Sequence, residues 1–533
     1  MLYDLAILNG TVFDGVGGYA RKDVGIKEGR IVETGDIGRS DAERRLDAGG
    51  RAVAPGFIDV HAHSDIQVWQ EKFPLSKVSQ GITTELTGQC GISACPVSDG
   101  CLESVMRYVA PVLGSTEPWP WRDYASYRET VGKKGLLINE GMFIGHGNLR
   151  IDAAGFSDGP TSPPERAHMC ELLRKELADG ALGLSSGLVY APGVFSDPDE
   201  MVELTKVCAE RDAIYTTHMR NEASSVLDAL DEALDVALRS GVKLVISHMK
   251  AVGRPNHGKP LQMLARQAEA RKKGVRVYGD CYPYDASSTM MAIILPPWAL
   301  SGGVAEMLKI LASDDARGKI KENFLNGIEG WENRPQTIGW ENLMVASTGT
   351  GKNADAEGLS LAELGQRRGK DTADALMDLI MEERGDVTVV MKAMAEEDVR
   401  ALLADPCVMV CSDGIPVGGK PHPRLYGAIT RYLCRYADLS CEKGVAAAVH
   451  KLTGLPAEIY RLAGIGRIEK GYMADITIFD PSTVEDKADF QEPFRLSGGI
   501  EHVLVGGEPV YQDKSAGDRR PGRFIRRNVN SLS

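Results

Sequence analysis

The stretch from Gly56 to His63 reads GFIDVHAH, an apolar run that ends in two histidines separated by one residue. Side chains two residues apart on a β-strand point to the same face, so both imidazoles can converge on one metal ion. The run therefore predicts a buried strand that ends at a metal site. Seven later apolar runs predict further strands, at 82–88, 142–147, 181–187, 213–220, 243–250, 275–283 and 407–414.

Helical patterns separate several of these runs, at 164–179, 200–211, 222–239 and 261–273. Alternating strands and amphipathic helices are typical of repeated βα units around a parallel sheet. Eight such strands predict an α/β protein built on a (β/α)8 TIM-like barrel. The gap at about 284–406 is too long for one crossover, so we predict an insertion over the barrel mouth. Within it, VTVVMKAM at 387–394 indicates an additional strand or a pocket-lining segment.

Both ends of the chain alternate apolar and polar residues around glycine turns. DLAILNGTVFDG and DVGIKEGRIVETGDI predict hairpins near the N-terminus, as ADITIFDP and IEHVLVGGEPVYQ do near the C-terminus. We predict one small β-sandwich formed from both termini; two unrelated additions are the alternative. The expected division is 1–54 and 461–533 for this domain and 55–460 for the barrel with its insertion. We expect the basic tail DKSAGDRRPGRFIRRNVNSLS to wrap on the surface or to fray.

Composition narrows the class of protein. The chain has 533 residues, 43% of them apolar, which is enough for a large barrel and a smaller module. The 61 Lys and Arg against 74 Asp and Glu give a net charge of -13, which argues against nucleic acid or an anionic membrane as a partner. No signal peptide and no membrane span are predicted, so we expect a cytoplasmic protein. Its ten cysteines include no CxxC pair, which favours reduced thiols and a possible metal ligand over disulfides.

Three more residues that can bind metal close predicted strands: His218 ends AIYTTH, His248 ends KLVISH and Asp413 ends CVMVCSD. In a TIM barrel the carboxyl ends of the strands converge on one mouth, where the active sites of such enzymes lie. Only ten histidines occur in the chain, and four of them take these positions. A metal centre explains the set better than histidines satisfied within the core.

The motifs together resemble the amidohydrolase superfamily. AVAPGFIDVHAHSD at 52–65 is similar to its metal-binding strand, and GIGRIEKGYMADITIFDP at 464–481 is similar to the segment that returns to its small β-domain. Many binuclear members carry a carboxylated lysine on strand four. The predicted strand ALGLSSG at 181–187 has no lysine.

The segment GITTELTGQCGISACP instead places Cys90 just after strand two, which resembles the N-acyl-D-amino-acid deacylase (D-aminoacylase) branch. GHGNLR, GLVYAPG, THMRNE, SHMK and CYPYDASST are also similar to blocks of that branch. A buried inert thiol is the alternative for Cys90, and Cys95, Cys407 and Cys411 fit that description better. A thiolate is a strong zinc ligand in mixed sulfur and nitrogen sites.

The resemblance implies a division of labour at the metal site. One zinc is held tightly, and an adjacent second site is weakly occupied or empty. The implied ligands are Cys90, His218 and His248 for the first site and His61 and His63 for the second. Asp413 contacts the metal and its water and acts as general base, then passes the proton to the departing amine. Zinc lowers the pKa of bound water toward about 7, which suits attack on an amide at neutral pH. His146 in GHGNLR belongs to the surroundings of the site or is simply structural.

A free amino-acid product requires a carboxylate receptor. Lys250 lies two residues past His248 and shares its strand face, although a lysine that reaches out to solvent is the alternative. The resemblance assigns carboxylate binding to Lys250 with help from Tyr282 and Ser288, and it places Tyr190 in the same pocket.

The side-chain pocket is expected to include Met391 and Met394, which favour apolar side chains because methionine adapts to varied shapes. Lys392 lies between them and either binds an acidic side chain of the substrate or points to solvent. We favour solvent, because Lys392 alternates with the methionines.

The predicted function is zinc-dependent hydrolysis of N-acyl-D-amino acids to a carboxylate and a free D-amino acid. The partner is this small-molecule substrate, with neither nucleic acid nor membrane. A cyclic-amide hydrolase of the dihydropyrimidinase or dihydroorotase kind is the first alternative, and a non-catalytic barrel scaffold is the second. TGTGKN near 348–353 lacks the first glycine and the final Ser or Thr of a phosphate loop, and no GxGxxG follows a predicted strand.

Overall fold

The structure is a computed structural model that describes residues 2–38, 41–115 and 118–527, and it shows an α/β protein. Its strands are β1 (Tyr3–Phe13), β2 (Tyr19–Lys27), β3 (Arg30–Gly35), β4 (Ala42–Asp47), β5 (Ala52–Pro55), β6 (Phe57–Asp59), β7 (Ile82–Thr87), β8 (Asn139–Met142), β9 (Ile144–Gly145), β10 (Gly183–Gly187), β11 (Ile214–His218), β12 (Lys243–Ile246), β13 (Val277–Cys281), β14 (Ala286–Met290), β15 (Leu343–Thr348), β16 (Val387–Lys392), β17 (Val408–Val410), β18 (Ile476–Phe479), β19 (Ile500–Val505), β20 (Glu508–Gln512) and β21 (Ser515–Ala516).

The α-helices are α1 (Gln67–Gln70), α2 (Leu75–Val78), α3 (Leu102–Leu113), α4 (Tyr124–Lys134), α5 (His146–Ala154), α6 (Pro163–Ala178), α7 (Pro198–Glu210), α8 (Val226–Ser240), α9 (Lys259–Lys272), α10 (Gly303–Leu311), α11 (Asp314–Asn326), α12 (Arg334–Ile338), α13 (Leu361–Arg368), α14 (Thr372–Glu382), α15 (Glu396–Ala404), α16 (Arg424–Arg435), α17 (Glu442–Leu452) and α18 (Gly454–Ile459). Within the described part of the chain, none of these helices is long and apolar enough to cross a membrane.

Each of the eight predicted runs contains a strand, and these strands belong to two parallel sheets. One sheet has the order β17-β13-β12-β11-β10-β9 and the other has the order β6-β7-β8. The two sheets meet at both edges. Phe143 alone separates β8 from β9, and a parallel bridge joins Ala62 to Gly414 just past the ends of β6 and β17. The pairings therefore connect these strands in a ring of eight positions, one of which β8 and β9 share, and the carboxyl ends of the strands lie on one side of it.

The range predicted as an insertion contains a separate antiparallel sheet in the order β14-β16-β15. VTVVMKAM supplies β16, as the sequence predicts, and β16 pairs with β14 so that Met391 lies opposite Ser287. Helix α15 lies inside the predicted range but packs against α9 and leads directly into β17. This part of the range thus contacts a helix of the parallel ring, and the bounds of the insertion, about 284–406, stay a prediction.

Strands from both ends of the chain form one nine-stranded sheet in the order β21-β20-β19-β18-β5-β1-β2-β3, with β4 paired to β1. The junction is antiparallel pairing of β5 with β18, from Ala52 opposite Phe479 to Pro55 opposite Ile476. Leu5 and Ile7 share one apolar cluster with Ile476 and Ile478. The union of both termini is as predicted, and the strands are hydrogen-bonded in one continuous sheet. The packing of that sheet into the two layers of a sandwich stays a prediction.

The basic tail wraps on the protein, one of its two expected outcomes. Backbone bridges pair Gly522 with Leu136 and Phe524 with Glu140. The Phe524 ring lies 5.9 Å from the Tyr127 ring and 6.4 Å from the Tyr124 ring, both at edge-on angles. The last residues of the predicted tail, 528–533, lie outside the described residues.

Candidate metal centre

The six predicted metal ligands converge at the carboxyl ends of the parallel strands. His61 and His63 follow β6, Cys90 follows β7, His218 ends β11, His248 follows β12 and Asp413 follows β17. Their ligand atoms form three groups in which all distances are within 4.8 Å: Cys90 with His218 and His248, Cys90 with His61 and His63, and Asp413 with His61 and His248. The structure thus brings together the whole set predicted from the sequence.

Cys90 occupies the centre of the set. Its Sγ lies 3.3 Å from His61 Nε2 and 3.2 Å from His248 Nε2. His63 Nε2 lies 3.1 Å from Asp413 Oδ1, and His61 Nε2 lies 3.6 Å from the same oxygen. Because Cys90 belongs to two of the three groups, it lies between two possible metal positions.

Left-handed backbone places three of these side chains. Cys90 has φ 56°, His248 has φ 33° and Asp413 has φ 48°, a region that residues other than glycine rarely adopt. Each residue lies just past a strand end, where the reversed backbone turns its side chain toward the centre. Gly187 permits the approach of β10, because a Cβ on it would lie 2.2 Å from the carbonyl oxygen of Cys90.

The charges around Cys90 favour a thiolate. Burial alone would raise the pKa of this thiol, but the positive charges of His61 and His248 outweigh burial and hold the pKa well below its ordinary value. Cys95 and Cys411 lie buried without such partners, and burial raises the pKa of both thiols well above the ordinary value. Cys90 is therefore set apart electrostatically from these two cysteines, as the sequence predicts.

Glu222 joins three predicted site residues and was not predicted itself. It accepts a hydrogen bond from Lys250 Nζ at 2.7 Å and lies 3.1 Å from His248 Nδ1 and 3.3 Å from His218 Nε2. Burial would raise the pKa of this carboxyl, but His218 and Lys250 outweigh burial and hold it well below its ordinary value. A carboxylate against the outer nitrogens of histidine ligands fixes their orientation.

Arg424 was also missed, because it lies on α16 rather than at a strand end. Its Nη1 lies 2.8 Å from Asp413 Oδ2, and its Nη2 donates to the carbonyl oxygen of Ser288 at 2.9 Å. Its guanidinium also lies 4.6 Å from the centre of the Tyr282 ring. Burial would raise the pKa of Asp413, but the charges of Arg424 and His61 hold it well below the ordinary value.

Asp280 is a third residue that the sequence analysis missed. Its Oδ1 accepts from the backbone N–H of His248 at 2.6 Å and lies 3.6 Å from His61 Nδ1. It is part of β13, in the run VRVYGDCYP, so the strand-end criterion that found Asp413 could have found it. Glu222 had a weaker signal, its position four residues past His218 in THMRNE.

A cavity of about 430 Å³ opens onto the cluster. Of the predicted substrate-binding residues, the lining includes Tyr190, Lys250, Tyr282, Ser288 and Met391. The Tyr282 hydroxyl is buried and has no hydrogen-bond partner among the described residues, so it is available to a ligand. Tyr190 Oη lies 2.8 Å from Thr289 Oγ1 and 3.4 Å from His218 Nδ1.

Three other predictions have definite outcomes. Met394 does not line the cavity; it follows the end of β16 and packs against a separate apolar cluster. Lys392 is exposed and lies 5.1 Å from the Phe490 ring centre, so it points to solvent as favoured. His146 is structural, because its Nε2 pairs with Glu200 at 2.7 Å and it does not line the cavity.

The donor set fits zinc. Sulfur and imidazole nitrogen are the atoms that zinc prefers, and Cys90 with two histidines provides them within one compact group. The Nδ1 atoms of His61 and His63 lack hydrogen-bond partners in the described structure, so neither imidazole is fully satisfied by the protein itself. Strand β10 (GLSSG) carries no lysine, so the bridging group of the cyclic-amidase alternative is missing from that strand.

Comparison with known proteins agrees with this chemistry. The Amidohydrolase family model matches residues 44–292 and 300–511. N-acyl-D-glutamate deacylase of Alcaligenes xylosoxydans xylosoxydans is 37% identical over 528 residues, which cover 99% of this chain and 97% of that protein. D-aminoacylase of the same organism is 32% identical over 529 residues, which cover 99% of this chain and 98% of that protein.

A solved structure extends the likeness to three dimensions. N-acyl-D-glutamate deacylase from Bordetella bronchiseptica, in complex with zinc and a phosphonate that mimics the tetrahedral intermediate, matches with a TM-score of 0.84 and 33% identity. The match covers 99% of this chain and all of that one (100%). The chain belongs to the amidohydrolase family. Within that family it belongs to the N-acyl-D-amino-acid deacylases, the branch that the motifs around Cys90 predict.

Proposed function

We propose that this protein is a zinc-dependent deacylase that hydrolyses N-acyl-D-amino acids to a carboxylate and a free D-amino acid. The single observation that carries the proposal is Cys90 Sγ, 3.3 Å from His61 Nε2 and 3.2 Å from His248 Nε2 at the strand ends. The relatives named for this activity support it over their whole length. The fold that goes with it is a (β/α)8 barrel at 55–460, with a small domain from 1–54 and 461–533 and an insertion over the barrel mouth.

The proposed metal ligands follow from the grouping of donors. Cys90, His218 and His248, one of the three compact groups, hold the tight zinc. His61 and His63, whose Nε2 atoms lie 3.6 Å and 3.1 Å from Asp413 Oδ1, form the weaker adjacent site with that carboxylate. When bound, zinc supplies a Lewis acid that polarises the amide carbonyl and makes a water molecule more acidic. Glu222 holds His218 and His248 in position, since its two oxygens face one nitrogen of each ring.

Asp413 is the proposed general base. The charges of Arg424 and His61 overcome burial and keep the pKa of this carboxyl well below its ordinary value, so it is ionised and ready to accept a proton. Arg424 binds the Oδ2 atom of Asp413, while the Oδ1 atom of Asp413 faces His61 and His63. Asp413 Oδ1 takes a proton from the attacking water and then delivers it to the nitrogen of the departing amino acid.

Lys250, Tyr282 and Ser288 are the proposed receptors of the substrate's α-carboxylate. All three line the cavity. Lys250 Nζ lies 5.7 Å from the Tyr282 ring centre, and the Tyr282 hydroxyl is free of partners among the described residues. A carboxylate between an ammonium and a phenol receives charge-assisted hydrogen bonds, which are stronger than neutral ones.

An apolar D-side chain is favoured over an acidic one, although one relative is named for D-glutamate. Met391 and Ile293 line the cavity, and Lys392 points away from it. Arg334 also lines the cavity, but its Nη2 is bound to Glu332 at 2.5 Å and its Nη1 to the carbonyl of Ile293 at 3.2 Å. Both of these nitrogens thus have partners within the described residues, and it is the apolar side chains of Met391 and Ile293 that favour an apolar D-side chain.

A kinetic panel tests the function. Zinc-loaded protein is assayed with N-acetyl derivatives of the D- and L-forms of leucine, methionine and glutamate, and with a hydantoin as the cyclic amide. We expect kcat/KM for the D-leucine and D-methionine derivatives to exceed the values for the L-forms by at least about 100-fold. We expect kcat/KM for the D-glutamate derivative to be lower than for these two D-derivatives. Equal rates on D- and L-forms, or faster hydrolysis of the hydantoin, would overturn the proposal.

A further inference from the structure

A second cavity, of about 500 Å³, adjoins the metal cavity. Its walls come mainly from α3, from the segment after β14 and from α10. They include Arg107 together with the apolar or aromatic side chains of Tyr108, Pro111, Met290, Leu300, Val304 and Met307. Tyr190 and Ile293 line both cavities. The second cavity contains none of the groups assigned to metal or carboxylate binding.

The second cavity is lined mainly by apolar side chains and lies beside a polar centre. An apolar cavity in that position favours an apolar group over water.

The substrate has one part left to place. Its carbonyl carbon lies at the metal centre, its carboxylate at Lys250 and Tyr282, and its D-side chain beside Met391. The acyl chain leaves the carbonyl in the other direction from the amino-acid part. From the metal cavity, the side chains shared with the second cavity are Tyr190 and Ile293.

We propose that the second cavity is the acyl-chain site, and that the enzyme prefers N-acyl-D-amino acids with medium-length aliphatic acyl groups of about six carbons over N-acetyl ones. The inference rests on the proposed function. The first carbons lie against Tyr190 and Ile293 in the metal cavity, and the distal carbons pack among Met290, Val304 and Met307.

An acyl-length series tests this site. We expect kcat/KM for D-leucine derivatives to rise at least about tenfold from N-acetyl to N-hexanoyl, since each buried methylene contributes up to about fourfold. Val304→Phe fills the second cavity from α10 and should remove this rise while leaving N-acetyl-D-leucine unchanged. Ala305→Phe, on the exposed face of the same helix, is the matched control and should keep the rise.

The outcomes separate this inference from the function on which it rests. A flat series in the wild type, or a rise that survives in Val304→Phe with an unchanged melting temperature, overturns the acyl site. The acyl site is also overturned if the loss of kcat/KM in Val304→Phe depends on the size of the substrate's D-side chain and not on the length of its acyl group. Calorimetric binding of hexanoate against acetate tests the cavity without turnover: hexanoate should bind at least about tenfold more tightly, and Val304→Phe should abolish the difference. Failure to hydrolyse N-acetyl-D-leucine contradicts the deacylase activity alone.

Discussion

Glu222 Oε1 accepts a hydrogen bond from Lys250 Nζ at 2.7 Å, with both side chains at most 5% exposed. The same carboxylate oxygen lies 3.1 Å from Nδ1 of His248, a candidate zinc ligand. The ammonium proposed to bind substrate is thus charge-compensated before substrate arrives, which lowers the penalty of keeping it buried. Glu222 couples the metal site to the substrate site through direct contacts.

Lys250 carries the first prediction. Lys250→Met removes the partner of the substrate's α-carboxylate, so kcat/KM for an N-acetyl-D-amino acid should fall by about one to two orders of magnitude, equivalent to roughly 1.5–3 kcal/mol. The corresponding amide substrate, which lacks the carboxylate, should lose much less. Lys392→Met is the control, because Lys392 is exposed and points to solvent, so both substrates should keep their rates. Equal losses for acid and amide in Lys250→Met would remove Lys250 from carboxylate binding.

Cys90 carries the second prediction. Cys90→Ala removes the thiolate that belongs to two donor groups, so the purified protein should lose most of its zinc and nearly all activity. Cys95→Ala is a matched control, because Cys95 is also buried but has a raised thiol pKa and no place in the donor groups. The amount of zinc per chain is measured by inductively coupled plasma mass spectrometry. Equal zinc in wild type and Cys90→Ala would exclude the thiol as a ligand.

Asp413 carries the third prediction. Asp413→Asn preserves shape but cannot accept the proton, so kcat should fall by about 100-fold or more while the tightly bound zinc remains. Single-turnover kinetics and zinc analysis on the same preparation measure both quantities. Asp398→Asn is a control, since Asp398 is also buried but, among the residues that the structure describes, accepts hydrogen bonds from the backbone of Gly258 alone. Near-normal kcat in Asp413→Asn would assign the proton transfer to another group.

Stability in acid depends on a buried pair away from the metal. Burial would raise the pKa of Glu200, but its hydrogen bond to His146 and the charge of Arg150 lower it from 4.5 to about 2. A depressed folded-state pKa gives stability that is present above the unfolded value near 4.5 and is lost as pH falls toward 2. The stability advantage of wild type over Glu200→Gln should therefore be about 2 kcal/mol smaller at pH 3 than at pH 6.

Urea unfolding at several pH values measures this change. Glu203→Gln, on the exposed side of the same helix, should show an almost constant difference from wild type, because the Glu203 side chain is 50% exposed and its pair with Arg166 is weak. A gap between wild type and Glu200→Gln that widens on acidification would contradict the depressed pKa.

The sequence predicts the strand-end residues well and the helix-borne ones poorly. His61, His218 and Asp413 close apolar runs, and the geometry of parallel strands then requires their side chains to meet. Arg424 contacts Asp413 from α16, a helix whose position depends on packing of the whole chain. No periodicity or spacing in the sequence marks that contact. Met394 fails for another reason: residues three apart on a strand face opposite sides, so a strand that points Met391 into the cavity does not bring Met394 there, and β16 ends at Lys392 in any case.

The pairing of strands in the small domain could not be predicted from the sequence. Alternating hydrophobicity correctly identifies β1, β2, β19 and β20 as strands. It does not specify which strands pair, and β1 pairs with β4 along its first half and with β5 near its end. That change of partner, together with the pairing of β5 with β18, joins all nine strands into one sheet.

The pairing of β5 with β18 has a consequence for how the protein is synthesised. Roughly 420 residues separate Pro55 from Ile476, so a ribosome that adds about 5–20 residues per second needs roughly 20–80 s to deliver the partner strand. During that time the N-terminal hairpins have an open edge at Ala52–Pro55, and open edges invite pairing between chains. The nascent chain is most prone to aggregate in this interval, and the exposed edge of β5 is the place where a chaperone would protect it.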